Sequence, residues 1–323
     1  MHEHNPTLPL REGRNFEPSE KFRGGERLDT TPLSEPLRGS TLAQGEGRKT
    51  IAALALSVAL VSRALAADTA PAPVFSPAAN VGWIALGTEF EPPPSGPGPV
   101  MNDPAHPRVS NAQAAATGKQ PTFHIGDANS PILQPWAKEE IKKRNAFILA
   151  GNPGYTRQAA CWPMGTPAFL LYPVQPIYIL QTAKEVLLIS QQDHEVRHIR
   201  LDMPHSPKVK PSWYGESIGH YEGDALVVDT IGMNNQTWVD NYRTPHTDKL
   251  HVTERFHLVE GGKTLQVDLH VEDPGAFTTP WNAVQRYRRA EGAPIGESFC
   301  AEGNYNYFNY QVEAIPEAKK PDF

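Results

Sequence analysis

From residue 177 onward the chain alternates. Apolar positions recur every second residue in short runs at 177–182, 185–191, 195–201, 213–220, 225–231, 250–258, 264–271 and 281–288. A period of two marks a strand with one face buried and one in water. Three breaks between runs, Thr182-Ala183-Lys184, Glu222-Gly223-Asp224 and Glu260-Gly261-Gly262-Lys263, have the length and chemistry of hairpin turns. Upstream, one stretch has a helical period instead. Residues 136–150 place Ala137, Ile141 and Ile148 on one stripe and most of their charges elsewhere, and Gly151-Asn152-Pro153 stops the pattern. About eight short strands after a single helix predict a mainly β fold, an antiparallel meander forming a barrel or strongly curved sheet. No helical crossover separates the strands, which argues against a parallel α/β sheet.

The ends have another texture. Residues 68–134 are dominated by Pro, Gly, Ala and Asn without a period and predict an extended, Pro-rich arm. Ahead of it, 48–67 has a basic start, an apolar run from Ile51 to Val61 and small residues Ala64 and Ala66 before a cut, the layout of a secretory signal peptide. The apolar run is far short of the roughly 20 residues a membrane span needs, so the mature chain is expected to lack one. Residues 1–47 are polar and predict no fold: either translation starts later, or an extension precedes an uncleaved anchor. The helix and barrel are expected over 135–314, and a disordered tail over 315–323.

A net charge of −6 without a basic stripe disfavours nucleic acid and anionic membrane surfaces, leaving small molecules or proteins as partners. Export places Cys161 and Cys300 in an oxidising compartment, where a disulfide is expected; two separate buried thiols are the alternative. Phosphate-binding loops, a dinucleotide fingerprint and a GxSxG nucleophile elbow are absent from the sequence.

Alternation sorts the polar residues. In 250–258, Glu254 shares a face with Val252, Phe256 and Leu258; in 195–201, Arg197 sides with Ile199 and Leu201; in 281–288, Gln285 and Tyr287 side with Trp281 and Ala283. All four polar groups are candidates to point into one lumen. A buried carboxylate can serve as a general acid or base, or close an internal ion pair with Arg. His194 and His198 mimic a metal-ligand pair, but on a strand that spacing separates them by about 13 Å, against roughly 4 Å for two ligands of one zinc. A zinc or other divalent ion would need the loop residues His205, His220 and His246 to converge; no cofactor is expected otherwise. The loop 240–246, with Asp240, Tyr242, Arg243 and His246, and the lip Trp213-Tyr214-Gly215-Glu216-Ser217 are candidate substrate-binding segments.

The runs DHEVRHIRLDMPH, PSWYGESIGHYEGDALVVDTIGMN, NYRTPHTDKLHVTERF and DPGAFTTPW, spanning roughly 136–289, resemble a large family of secreted bacterial β-rich proteins. The resemblance implies export and a predominantly β, lipocalin- or calycin-like body, and carries over no activity or catalytic residue.

Together these residues predict a periplasmic or secreted enzyme whose barrel pocket takes a small, partly hydrophobic, hydroxylated or aromatic molecule. Cofactor-independent acid–base chemistry of the lyase, isomerase or hydrolase type would use Glu254 as base, His220 or His246 as proton relay, and Arg197 with Tyr287 against developing negative charge. A non-catalytic, lipocalin-like carrier and a structural envelope protein are the alternatives.

Overall fold

Nine strands close into a barrel in sequence order, β1 to β9, with β9 pairing back onto β1. They are β1 (Val81–Ala85), β2 (Ile177–Gln181), β3 (Glu185–Ser190), β4 (Arg197–Leu201), β5 (Glu216–Glu222), β6 (Ala225–Ile231), β7 (His251–Val259), β8 (Thr264–Glu272) and β9 (Trp281–Glu291). The computed structural model describes residues 72–78, 80–152, 161–172, 175–192, 196–292, 295–297 and 300. These lie in one of the chain's two units, Ala66–Phe323. The expected extension 1–47, signal peptide 48–67 and tail 315–323, together with His194, fall outside the described residues.

The mainly β barrel is as the alternation predicts, with two differences. First, the stretch expected as an arm takes part in the fold. Its residues 81–85 form the strand that completes the ring, with five register pairs to β9 from Val81↔Glu291 to Ala85↔Tyr287. This strand is buried on both faces, so it carries no alternation to read. Phe75, Phe90, Val100, Ile132 and Leu133 from the same stretch lie in the hydrophobic core, and a short capped helix, α1 (Asn111–Thr117), interrupts it. Second, the meander is not antiparallel throughout. β4 and β5 pair parallel, through Ile199↔Ser217 to Leu201↔Gly219. Residues 202–215 must therefore travel back along the outside of the barrel before β5 starts, where a hairpin would have turned at once.

The helix α2 (Pro135–Leu149) starts on a proline, whose missing N–H costs nothing in a first turn. It buries Ala137, Ile141 and Ile148 as its stripe predicts. Its buried Asn145 both donates to Gly126 O (2.7 Å) and accepts from Gly126 N (3.3 Å), fastening it to the preceding loop.

Inside the barrel, aliphatic and aromatic side chains of the strands form the core. Gly219 shows how tight the wall is, since a Cβ there would meet Ile199 Cγ2 at 2.8 Å and Val227 O at 3.1 Å. A fully buried 3₁₀ turn, Ala168–Leu171, contributes further side chains to the same core. Its Leu170 carbonyl accepts from Tyr287 Oη (2.6 Å) and Gln285 Nε2 (3.0 Å), so that buried carbonyl is satisfied. Cys161 and Cys300 are disulfide-bonded across 139 positions of sequence. No helix among the described residues is long and apolar enough to cross a membrane.

Candidate functional site

β4 and β7 are not neighbours in the ring, so an Arg197–Glu254 contact has to cross the interior. Arg197 Nη1 donates to Glu254 Oε1 (2.8 Å) and Nη2 to Oε2, both residues being fully buried. The guanidinium also reaches Thr230 Oγ1 (2.9 Å) and Ser217 Oγ (3.3 Å), and those hydroxyls bond each other (2.9 Å). Every polar group of this cluster is thereby paired within it. Tyr287 and Gln285 share the interior but engage the Leu170 carbonyl, and Gln285 also donates to Gly87 O (3.1 Å). Burial drives the Tyr287 hydroxyl well above the usual phenol range, and the Glu254 charge adds to it.

The histidines expected to work with Glu254 lie elsewhere. His220 is on the outer face of β5, where it pairs with Glu222 (2.9 Å) in water. His246 is buried in its loop, with Nδ1 donating to Thr247 O (2.8 Å) and Nε2 hydrogen-bonded to Thr237 Oγ1 (2.7 Å). His205 bonds Glu216 and Asp229. These three do not converge, and among the described residues no group of three or more His, Cys, Asp or Glu is placed to hold a metal.

The loop 240–246 is an internal brace. Asp240 accepts from Tyr242 N (2.9 Å), Thr244 N (3.0 Å) and Thr244 Oγ1 (2.7 Å), and full burial raises its carboxyl to about 6 despite these bonds. The turn needs a left-handed backbone at Arg243 (φ 64°), whose Nη1 donates to His124 O (3.3 Å). Beside it lies a polar cluster that sequence reasoning missed, because its members come from the aperiodic stretch. Glu89 accepts from Arg108 Nη1 (2.6 Å), lies 3.4 Å from His124 Nε2, and is faced by the buried Tyr242 hydroxyl. The polar groups of His124, then Tyr242 and Arg108, around the carboxylate outweigh desolvation and lower Glu89 to about 2. Burial meanwhile lowers His124 and raises Tyr242. A permanently ionised carboxylate locked to an arginine is a poor proton acceptor, although Glu89 and Arg108 line a cavity of about 520 Å³.

A third arrangement follows from the parallel join. Between the outward face of β4 and the crossover 202–215 lies a cleft of about 500 Å³, lined by Val196, His198 and Arg200 on the strand side and Ser206, Lys208 to Lys210 and Ser212 to Ser217 on the other. The crossover is fixed at its far end by Ser212 N to Gly232 O (3.1 Å) and Asn234 N to Ser212 O (2.8 Å). Gly215 then turns into β5 at φ 70°, where a Cβ would lie 2.4 Å from Ile231 O, so only glycine fits. Trp213 packs on Trp162 with ring centroids 5.2 Å apart, one residue from the disulfide at Cys161, and buried Tyr214 packs edge-on against Phe169 (5.3 Å). Three exposed cations, Arg200, Lys208 and Lys210, line this cleft together with a single carboxylate, Glu216, which Arg200 approaches at 4.0 Å. That carboxylate is already committed to Ser206 Oγ, Ser206 N (2.7 Å) and His205 Nδ1 (3.1 Å), which hold its pKa below the usual range. Of the substrate-binding candidates, Trp213 and Glu216 therefore line a cleft, whereas Asp240, Tyr242, Arg243 and Gln285 are buried in braces.

Comparison with family models, with curated proteins and with solved structures finds no match for this chain.

Proposed function

We propose that this is an exported binding protein that takes a small anionic molecule with an aromatic or flat apolar body, outside the barrel, in the crossover cleft. The observation that carries the proposal is the pairing of a Trp213 ring with the Arg200, Lys208 and Lys210 cations in one cleft of about 500 Å³. That volume falls in the range of small-molecule sites, roughly 300–1,000 Å³. An aromatic floor binds a flat ligand by stacking and area burial, and surrounding cations select the anion. The barrel is a rigid scaffold in this account. An acid–base centre at Glu254 is less well supported, since Arg197 occupies both its carboxylate oxygens and both side chains are sealed from solvent.

Titration with 2-naphthoate, followed by tryptophan fluorescence and calorimetry, tests the proposal. Saturable one-to-one binding is expected, weakened about tenfold or more by Trp213→Ala and by Lys208→Ala combined with Lys210→Ala, with the fold unchanged by circular dichroism. Equal affinity in wild type and both variants would place the ligand elsewhere, and 2-naphthol binding as tightly as 2-naphthoate would remove the anion from the account.

A further inference from the structure

On the outer face of the barrel, next to the cleft, imidazoles and carboxylates alternate across four strands. Glu216 on β5 contacts His205 Nδ1 (3.1 Å), and His205 Nε2 contacts Asp229 Oδ1 on β6 (2.7 Å). The other oxygen of Asp229 meets His251 Nε2 on β7 (2.7 Å), and His251 Nδ1 lies 3.4 Å from Glu272 on β8. Glu272 also meets His270 Nε2 (3.1 Å), whose Nδ1 ends the row on Asn282 Oδ1 of β9 (2.8 Å). Arg200 of β4 approaches Glu216 at 4.0 Å from the cleft side, and Ser206 donates to the same carboxylate.

The geometry sets which charge state satisfies the contacts. A neutral imidazole has one N–H and one lone pair, so it can donate to one carboxylate only. His205 and His251 each have a carboxylate at both ring nitrogens. Both contacts are attractive only for the imidazolium; losing the proton turns one of them into a lone pair facing an anion. With all three histidines charged, the row of three imidazoliums and three carboxylates is neutral. With all three neutral, three negative charges remain beside a cleft lined by cations.

We propose that this row is a proton-linked clamp on the crossover: protonation at His205 and its neighbours pins residues 205 and 206 to the barrel and favours anion binding in the cleft, and deprotonation loosens both. The proposal rests on the cleft being the binding site, but the clamp itself does not. The direction follows from the two carboxylates at the ring nitrogens of His205 and His251, and the shifts of the neighbouring groups agree with it. Hydrogen bonding to Asp229 raises His251, and Asp229, Glu216 and Glu272 are lowered, chiefly by bonds from His251, Ser206 and His270 respectively. A raised histidine contributes fully below its ordinary pKa and loses its contribution as pH rises through the raised value. A lowered carboxylate contributes fully above its ordinary pKa and is lost as pH falls through the lowered one. The clamp is thus closed from about pH 5 to about pH 6.5 and opens above.

Two measurements on the wild-type chain and on His205→Gln test it. Gln can donate and accept but does not titrate. Hydrogen–deuterium exchange of peptides covering 202–215, corrected for intrinsic rate, should show several-fold greater protection at about pH 6 than at about pH 8 in wild type and no such difference in the variant. The 2-naphthoate probe, ionised throughout, should bind about tenfold tighter at the lower pH in wild type only. Protection that does not change with pH in wild type, or that changes equally in the variant, overturns the clamp whatever the probe does. Should the variant fail to fold, ring-proton NMR titration of wild type decides: histidine titrations confined to ordinary values overturn the clamp, and titrations displaced upward support it. A pH-dependent clamp in a chain that never binds the probe would instead discard the binding proposal and leave the clamp standing.

Discussion

The Arg197–Glu254 pair can be broken in two ways with opposite results. Replacing Glu254 by Gln keeps the shape but leaves a guanidinium inside the barrel without its counter-charge, since Thr230 and Ser217 offer hydroxyls only. Removing one partner of a sealed pair costs about 3–5 kcal/mol. Arg197→Met, which strands the carboxylate, should cost a similar amount. The double variant Arg197→Met with Glu254→Leu removes both charges and fills much of the same space, while the Ser217–Thr230 hydrogen bond at 2.9 Å survives to satisfy the two hydroxyls. Such a replacement is expected to lie within about 1 kcal/mol of wild type or above it. The coupling between the sites is then about 5 kcal/mol or more, and each single variant should melt roughly 6–20 °C below wild type. Urea titration followed by tryptophan fluorescence and circular dichroism gives the free energies, with equal slopes confirming that the same surface is exposed. Single variants within about 1 kcal/mol of wild type would show that water reaches the pair. A double variant as unstable as the two losses added would show that the ionic network itself, and not charge compensation, holds the interior.

Three further outcomes follow from the structure. Unfolded but unreduced protein should show no thiol reactive at Cys161 or Cys300, and reduction should cost at most about 5 kcal/mol for a loop of this length; two titratable thiols before reduction would refute the bridge. Asp240 is raised to about 6 from 3.8, so its contribution is complete below about pH 4 and lost as pH rises to about 6. Asp240→Asn should therefore gain about 2–3 kcal/mol on wild type between those limits, read from pH-dependent denaturation. Glu89 is lowered to about 2, so Glu89→Gln should cost about 1–2 kcal/mol near pH 7, after allowance for its partial exposure. That deficit should shrink as pH falls below about 4; a pH-independent deficit would rule out the charge as its cause.

Strand alternation made β3, β4 and β6 to β9 legible because each buries one face against a core and leaves the other more open to water, whereas β2 is buried on both faces over Ile177 to Ile179. It also put Arg197, Glu254, Gln285 and Tyr287 on the inner face, but it carries no information on what lies opposite, so an ion pair and a catalytic base read alike. β1 was illegible for the reason that makes it stable: Val-Gly-Trp-Ile-Ala is covered on both sides and embedded among prolines. The cleft was half legible. Trp213 and Glu216 stood out as a lip, whereas nothing in the sequence pattern singles out Arg200, Lys208 and Lys210, which the parallel join brings to the same cleft. A signal for that join was present: the span between the runs 195–201 and 213–220 is too long for a tight hairpin and long enough to cross back.

The pairing of β1 with β9 also governs the order of assembly. During synthesis the first strand waits for the last, because no hydrogen-bonding partner exists for the far edge of β1 until residues 281–291 emerge. A chain stopped before that point would present two open strand edges, on β1 and β8, each a template for another copy. Ring closure is thus the slowest contact to find and the one that ends the risk of aggregation.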